Sequence, residues 1–121
     1  MTSDSLIHVS ALEIALQTFA DERQWQTYHS PKNLAMALTG EVGELVELFQ
    51  WLSEDESKRV MHDPKTADAV RDEIADVLLY LVRLSSVLGI DLNDAVTKKL
   101  VKNGKKYPAD DSTPSRQKQD R

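Results

Sequence analysis

The sequence predicts an all-α protein, and three observations carry that prediction. Apolar residues recur at three- and four-residue spacing through four segments, no stretch alternates apolar and polar residues as a half-buried strand would, and residues that start or stop helices bound the segments. The first helix is expected from Ser10 to Arg23: Ser10-Ala-Leu-Glu13 has the form of a capping box, and Leu12, Leu16 and Phe19 follow at helical spacing. A connecting loop then carries Trp25, Tyr28 and His29. Ser30-Pro31 supplies an N-cap followed by proline at the first helical position, which opens a second helix expected to reach Leu52, with Leu34, Leu38, Leu45 and Leu48 on its apolar side.

The polar run from Ser53 to Thr66 reads as a loop or a short frayed helix. A third helix is expected from Ala67 to Leu88, with Ile74, Leu78, Leu81 and Leu88 as a buried stripe and Gly89 as its stop. Asp91 caps a fourth helix, with Asp94 in its first turn and Lys98, Lys99 and Lys102 toward the end that the macrodipole makes negative. The expected organisation is a flexible N-terminus over 1–9, one helical domain over 10–108 and a disordered polar tail over 109–121.

Composition narrows the function classes. The 121-residue chain has no cysteine, which removes disulfide frameworks, thiolate zinc sites and cysteine nucleophiles together, and fits a reducing cytoplasm. Its longest apolar stretch, Ile74 to Ile90, carries Asp76 and Arg83 and is a poor membrane span; no basic start followed by an apolar run suggests a secretory or transit signal. A net charge of −5 argues against general affinity for nucleic acid, so an anionic substrate would need a metal or a local basic patch to hold it.

The informative residues are acids inside the helical patterns. Glu41-x-x-Glu44 and Glu73-x-x-Asp76 each place two carboxylates on one helix face, and packing those helices together converges four like charges. A hard cation offsets such repulsion; Mg²⁺ takes oxygen ligands from carboxylates, waters and substrate phosphates, and Mn²⁺ is the alternative. Trp51 follows Glu44 by seven residues and Tyr80 follows Glu73 by seven. On continuous helices this sets an aromatic platform above each pair, as a base-bearing phosphorylated ligand would want. Glu47 extends the first pair, either supporting the site or facing solvent.

Gly40-Glu-Val-Gly-Glu-Leu-Val-Glu-Leu-Phe-Gln-Trp51, Glu73-Ile-Ala-Asp-Val-Leu-Leu-Tyr80 and Lys99-Leu-Val-Lys-Asn103, ending at Tyr107-Pro108, closely resemble the MazG-like all-α nucleoside triphosphate pyrophosphohydrolases, most of all their dCTP pyrophosphatase branch. The resemblance runs from Leu12 to Pro108 and includes Trp25 and the Asn33-Leu-Ala region. It implies Mg²⁺-dependent cleavage between the α- and β-phosphates of a nucleotide, with Glu41, Glu44, Glu73 and Asp76 as metal ligands. It further implies nucleotide contacts from Trp25, His29, Trp51, Tyr80, Lys99 and Asn103, with Lys102 and Lys106 as weaker candidates. Sites of this family lie at or near subunit contacts, and the chain is expected to complete its four-helix bundle by self-association, as a homotetramer in preference to a dimer, with Leu45, Phe49, Leu78 and Leu81 at the interface.

Two other classes compete. A di-iron carboxylate bundle calls for Glu-x-x-His pairs, and His8, His29 and His62 all lie outside the acidic segments. A non-catalytic helical interaction module could contact nucleic acid through Lys98 to Lys106, against the acidic balance of the rest of the chain.

Overall fold

A computed structural model describes residues 6–109; residues 1–5 and 110–121, with most of the expected tail, lie outside the described residues. Among the described residues there are five α-helices and one 3₁₀ turn and no strand: α1 (Ser10–Glu22), α2 (Pro31–Glu47), α3 (Glu54–Lys58), the 3₁₀ turn Val60–His62, α4 (Pro64–Leu88) and α5 (Leu92–Lys106). The all-α expectation holds, with one helix more than the sequence suggested. None of these helices is long and apolar enough to cross a membrane. The chain falls into two compact units, one spanning Val9–Ile90 and the other comprising the segments on either side of it.

In the larger unit, α2 lies along α4, and α1 and the 3₁₀ turn also pack on α4. Its core is small: Ala20, Leu34, Ala67, Val70 and Val82 are buried. The start of α2 is as expected, with the Ser30 hydroxyl accepting from the Asn33 backbone N–H at 3.2 Å and Pro31 in the first turn. Two expectations need correction. The capping box at Ser10 is absent: Val9 holds the N-cap position without a side-chain bond and Ser10 already lies in the helix. The capping box forms instead at Ser53, which accepts from Glu56 N–H at 3.1 Å while its own N–H donates to the Glu56 carboxylate at 2.8 Å. That reciprocal pair satisfies two otherwise orphaned donors and opens the short helix that was one of the two expectations for this run. The stripe Ile74, Leu78, Leu81 and Leu88 is not buried within one chain; each of these side chains is exposed. Within its unit this 25-residue helix, α4, packs against α1, α2 and the 3₁₀ turn, and it buries Ala67, Val70, Val82, Arg83 and Ser85 instead.

Helix α4 ends where Gly89 adopts the left-handed region at φ 71°, a conformation that costs a residue with a Cβ roughly 1 kcal/mol. In the smaller unit, Asp91 caps α5 by accepting from Asp94 N–H at 3.0 Å, and the backbone N–H groups of Leu6 and Ile7 donate to Asn93 Oδ1 at 2.8 and 3.3 Å. Lys98 pairs with Asp94 at 3.0 Å on the exposed side of that helix.

Candidate active site

Packing α2 against α4 brings the two acidic motifs together. One carboxylate oxygen from each of Glu41, Glu73 and Asp76 lies within 4.8 Å of the others, in a half-buried position. Glu44, one turn beyond Glu41, is exposed; its carboxyl leans on that of Glu41 without joining the tight group. Of the four predicted ligands, three converge and the fourth flanks them.

The electrostatics show an unbalanced site. Glu41 Oε2 and Glu73 Oε2 are sealed from solvent and have no hydrogen-bond donor. Contact with the Glu44 carboxyl is the main reason that Glu41 is pushed up to about 7; burial, contact with Glu73 and the charges of Glu44 and Asp76 act in the same direction. Burial raises Glu73 too, helped by the charges of Glu44 and Asp76, while a hydrogen bond from Glu41 opposes the rise. A proton held between carboxylates, or a cation, satisfies such oxygens. A purely structural cluster would bring Lys or Arg to them, and none of the ion pairs among the described residues does so. An all-oxygen set of this kind fits a hard divalent cation that keeps part of its water shell.

A pocket of about 240 Å³ adjoins the cluster through Asp76. One wall comes from a single face of α4, where Asp76, Leu79, Tyr80 and Arg83 follow one another at helical spacing. Leu16 and Phe19 of α1 form another wall with Trp25 and His29 of the connecting turn. That turn is tightly set: Gln24 takes a left-handed φ of 55°, and the Trp25 and His29 N–H groups donate to the Ala20 and Trp25 carbonyls at 2.9 and 3.0 Å. The rings of Phe19 and Trp25 then meet edge to face at 5.6 Å, with His29 5.7 Å beyond Trp25. Trp25, His29 and Tyr80 therefore line one pocket with Asp76.

Trp51 does not. Helix α2 stops at Glu47 and the chain turns through residues 48–51, so the two-turn relation to Glu44 is broken; Trp51 is 86% exposed and is not part of the pocket. Lys99 and Asn103 lie on α5 in the other compact unit, Lys99 exposed and Asn103 half-buried.

Arg83 escaped the sequence reading. It is only 5% exposed and makes no ion pair among the described residues. Its Nε donates to His29 Nδ1 at 3.0 Å and its Nη1 to Gln17 Oε1 at 2.8 Å. Gln17 Nε2 passes the chain on to Asp21 Oδ1 at 2.8 Å. Burial, and then the positive charge of Arg83, hold His29 below its ordinary value, so the ring is neutral. Because Nδ1 accepts, the ring proton sits on Nε2. The available signal was the one arginine in the apolar stretch from Ile74 to Ile90, seven residues after Asp76 and therefore on the same face.

The larger unit is all-helical and sets a half-buried carboxylate cluster beside an aromatic pocket. Residues 37–120 match the MazG-like family. The chain is 48% identical over 90 residues to dCTP pyrophosphatase 1 of Mus musculus, covering 74% of this chain and 53% of the mouse protein. It is 46% identical over 91 residues to dCTP pyrophosphatase 1 of Homo sapiens, covering 75% of this chain and 54% of the human protein. The crystal structure of a pyrophosphatase from Archaeoglobus fulgidus matches with a TM-score of 0.77 and 45% identity, over 84% of this chain and 94% of the archaeal one. The chain spans about half the length of the mammalian relatives it matches. It belongs to the MazG-like family.

Proposed function

We propose that this protein is a Mg²⁺-dependent nucleoside triphosphate pyrophosphohydrolase, acting on dCTP or a base-modified relative to give the monophosphate and pyrophosphate. The observation that carries the reading is the pair of sealed, donorless oxygens on Glu41 and Glu73, continuous through Asp76 with a pocket shaped for a flat ring. The names of the mammalian and archaeal relatives support the activity and, for the mammalian ones, the choice of dCTP. Glu41, Glu73 and Asp76 would hold the cation, with Glu44 beside them. When bound, the cation neutralises phosphate charge and acidifies a water molecule.

The chain's own residues do the rest. Trp25 and Tyr80 clasp the base by stacking, which fixes the nucleotide with its phosphates toward Asp76. Glu44, exposed and outside the tight group, is placed to take the proton of an attacking water, as a nearby carboxylate can. Lys99 and Asn103 keep the phosphate- and base-contacting roles that the family resemblance gives them. Association as a homotetramer is part of the same proposal: Val42 and Val46 of α2, and Ile74, Leu78 and Leu81 of α4, stay exposed at helical spacing in the single chain.

The test is release of pyrophosphate from dCTP during a Mg²⁺ titration, with Asp76→Asn beside the wild type. Turnover is expected to need the metal, to collapse in the variant at ordinary Mg²⁺ and to recover in part as Mg²⁺ is raised. A non-catalytic module releases no pyrophosphate at any metal concentration, and wild-type turnover of Asp76→Asn across the titration would place the site elsewhere.

A further inference from the structure

Arg83 stands where a structural role does not account for it. Burying a guanidinium is costly unless its charge is offset, yet this one reaches a carboxylate only through the Gln17 amide, which relays it to Asp21. Of its five N–H donors, the hydrogen bonds among the described residues use one on Nε and one on Nη1. Nη2 has no partner among them and is not one of the sealed polar atoms, so the little surface that Arg83 keeps includes this group, and Arg83 lines the pocket.

We propose that Arg83, oriented by His29 and Gln17, reads the base of the nucleotide and selects a ring edge with two adjacent hydrogen-bond acceptors, as O2 and N3 of cytosine provide. The inference rests on the reading of this pocket as a nucleotide site and adds the residue that sets its specificity. Seven residues separate Asp76 from Arg83 on one helix, about 10.5 Å at 1.5 Å per residue, so a group at Arg83 addresses the end of a nucleotide opposite the phosphates held at Asp76. The walls between are Leu16, Phe19, Trp25, Leu79 and Tyr80, which suit a ring and not a polyanion. The far end of the pocket offers donors: Arg83 Nη2, and the Nε2–H of a neutral His29. One donor from Arg83 and one from His29 suit two neighbouring acceptors. Adenine sets an amino donor beside N1, and thymine sets an N–H between its carbonyls, so each brings a donor against a donor.

The experiment uses nucleosides, which lack phosphate and need no metal. Binding of deoxycytidine, deoxyadenosine and thymidine to the full chain is measured by calorimetry for wild type, Arg83→Met and Arg83→Lys. Wild type is expected to prefer deoxycytidine, and both variants to lose about 10- to 100-fold of that affinity, the discrimination a bidentate base contact provides, with deoxyadenosine binding unchanged. Arg83→Lys keeps the charge and much of the packing, so it decides the matter if the methionine variant fails to fold. Equal weakening toward all three nucleosides, or none, overturns the assignment. Selective deoxycytidine binding without pyrophosphate release from dCTP would sink the enzymatic reading and leave this one standing. Release from every triphosphate, lowered equally by Arg83→Lys, would do the reverse.

Discussion

Replacing Glu41 by glutamine isolates the electrostatic cost of the carboxylate cluster. In the folded chain Glu41 titrates at about 7, against an ordinary 4.5, so between those values the native state keeps a proton that the unfolded state has released. The contribution of Glu41 to stability is therefore greatest below pH 4.5, falls as pH rises through this window and levels off above 7. At roughly 1.4 kcal/mol per pH unit, the penalty at pH 8 is about 3 kcal/mol before solvent screening. Screening of a half-buried cluster halves that to about 1.5 kcal/mol. Glutamine has the shape of the protonated acid and keeps a donor for its carboxylate neighbours, so Glu41→Gln removes the penalty. At about 4 to 8 °C per kcal/mol for a domain of this size, its melting temperature at pH 8 in EDTA should rise by roughly 6 to 12 °C over wild type. Calorimetric melts at pH 4.5 and pH 8 provide the assay: the gap should be wide at pH 8 and nearly closed at pH 4.5. Added Mg²⁺ should stabilise wild type more than the variant, since binding to the native state adds stability by mass action. Equal melting temperatures at pH 8, with parallel pH profiles, would refute the overcharged-cluster reasoning.

Other perturbations separate the pocket, the scaffold and the assembly. Trp25→Leu should raise KM for dCTP by about tenfold or more through lost stacking, at the roughly 1 to 3 kcal/mol that such contacts contribute, while kcat changes little; steady-state pyrophosphate release checks it. Gly89→Ala should destabilise by about 1 kcal/mol because the left-handed φ of 71° disfavours a Cβ, read as a lower melting temperature with unchanged pyrophosphate release. Leu78→Glu combined with Leu81→Glu should dissociate the oligomer, and light scattering showing the wild-type mass for the double variant would remove that stripe from the interface.

Much of the fold was legible because it depends on local signals. Ser30-Pro31, Gly89 and Asp91 mark helix boundaries through their own backbone and side-chain chemistry, and each acts in the structure as its sequence implies. Ser10 and Ser53 show the limit: both sit three residues before a glutamate, yet only Ser53 closes the reciprocal pair, a choice set by the backbone angle at which the chain enters the helix. The fate of the Ile74, Leu78 and Leu81 stripe was hidden for a different reason. Periodicity shows that a face is apolar, not which neighbour covers it. At the site, Glu41, Glu73 and Asp76 were legible from spacing, as was Tyr80 on the same continuous helix. The platform expected of Trp51 above Glu44 fails because the seven-residue relation assumed a helix that stops at Glu47. Arg83 depends on contacts with Gln17 and His29, 66 and 54 residues away in sequence, which no local pattern reveals.

The most direct test of the proposed chemistry is the identity of the products. Phosphorus NMR of dCTP incubated with the full chain and Mg²⁺ should show deoxycytidine monophosphate and pyrophosphate appearing in equal amounts, with neither forming in EDTA. Deoxycytidine diphosphate and orthophosphate in their place, or no product under any metal condition, would contradict the assignment.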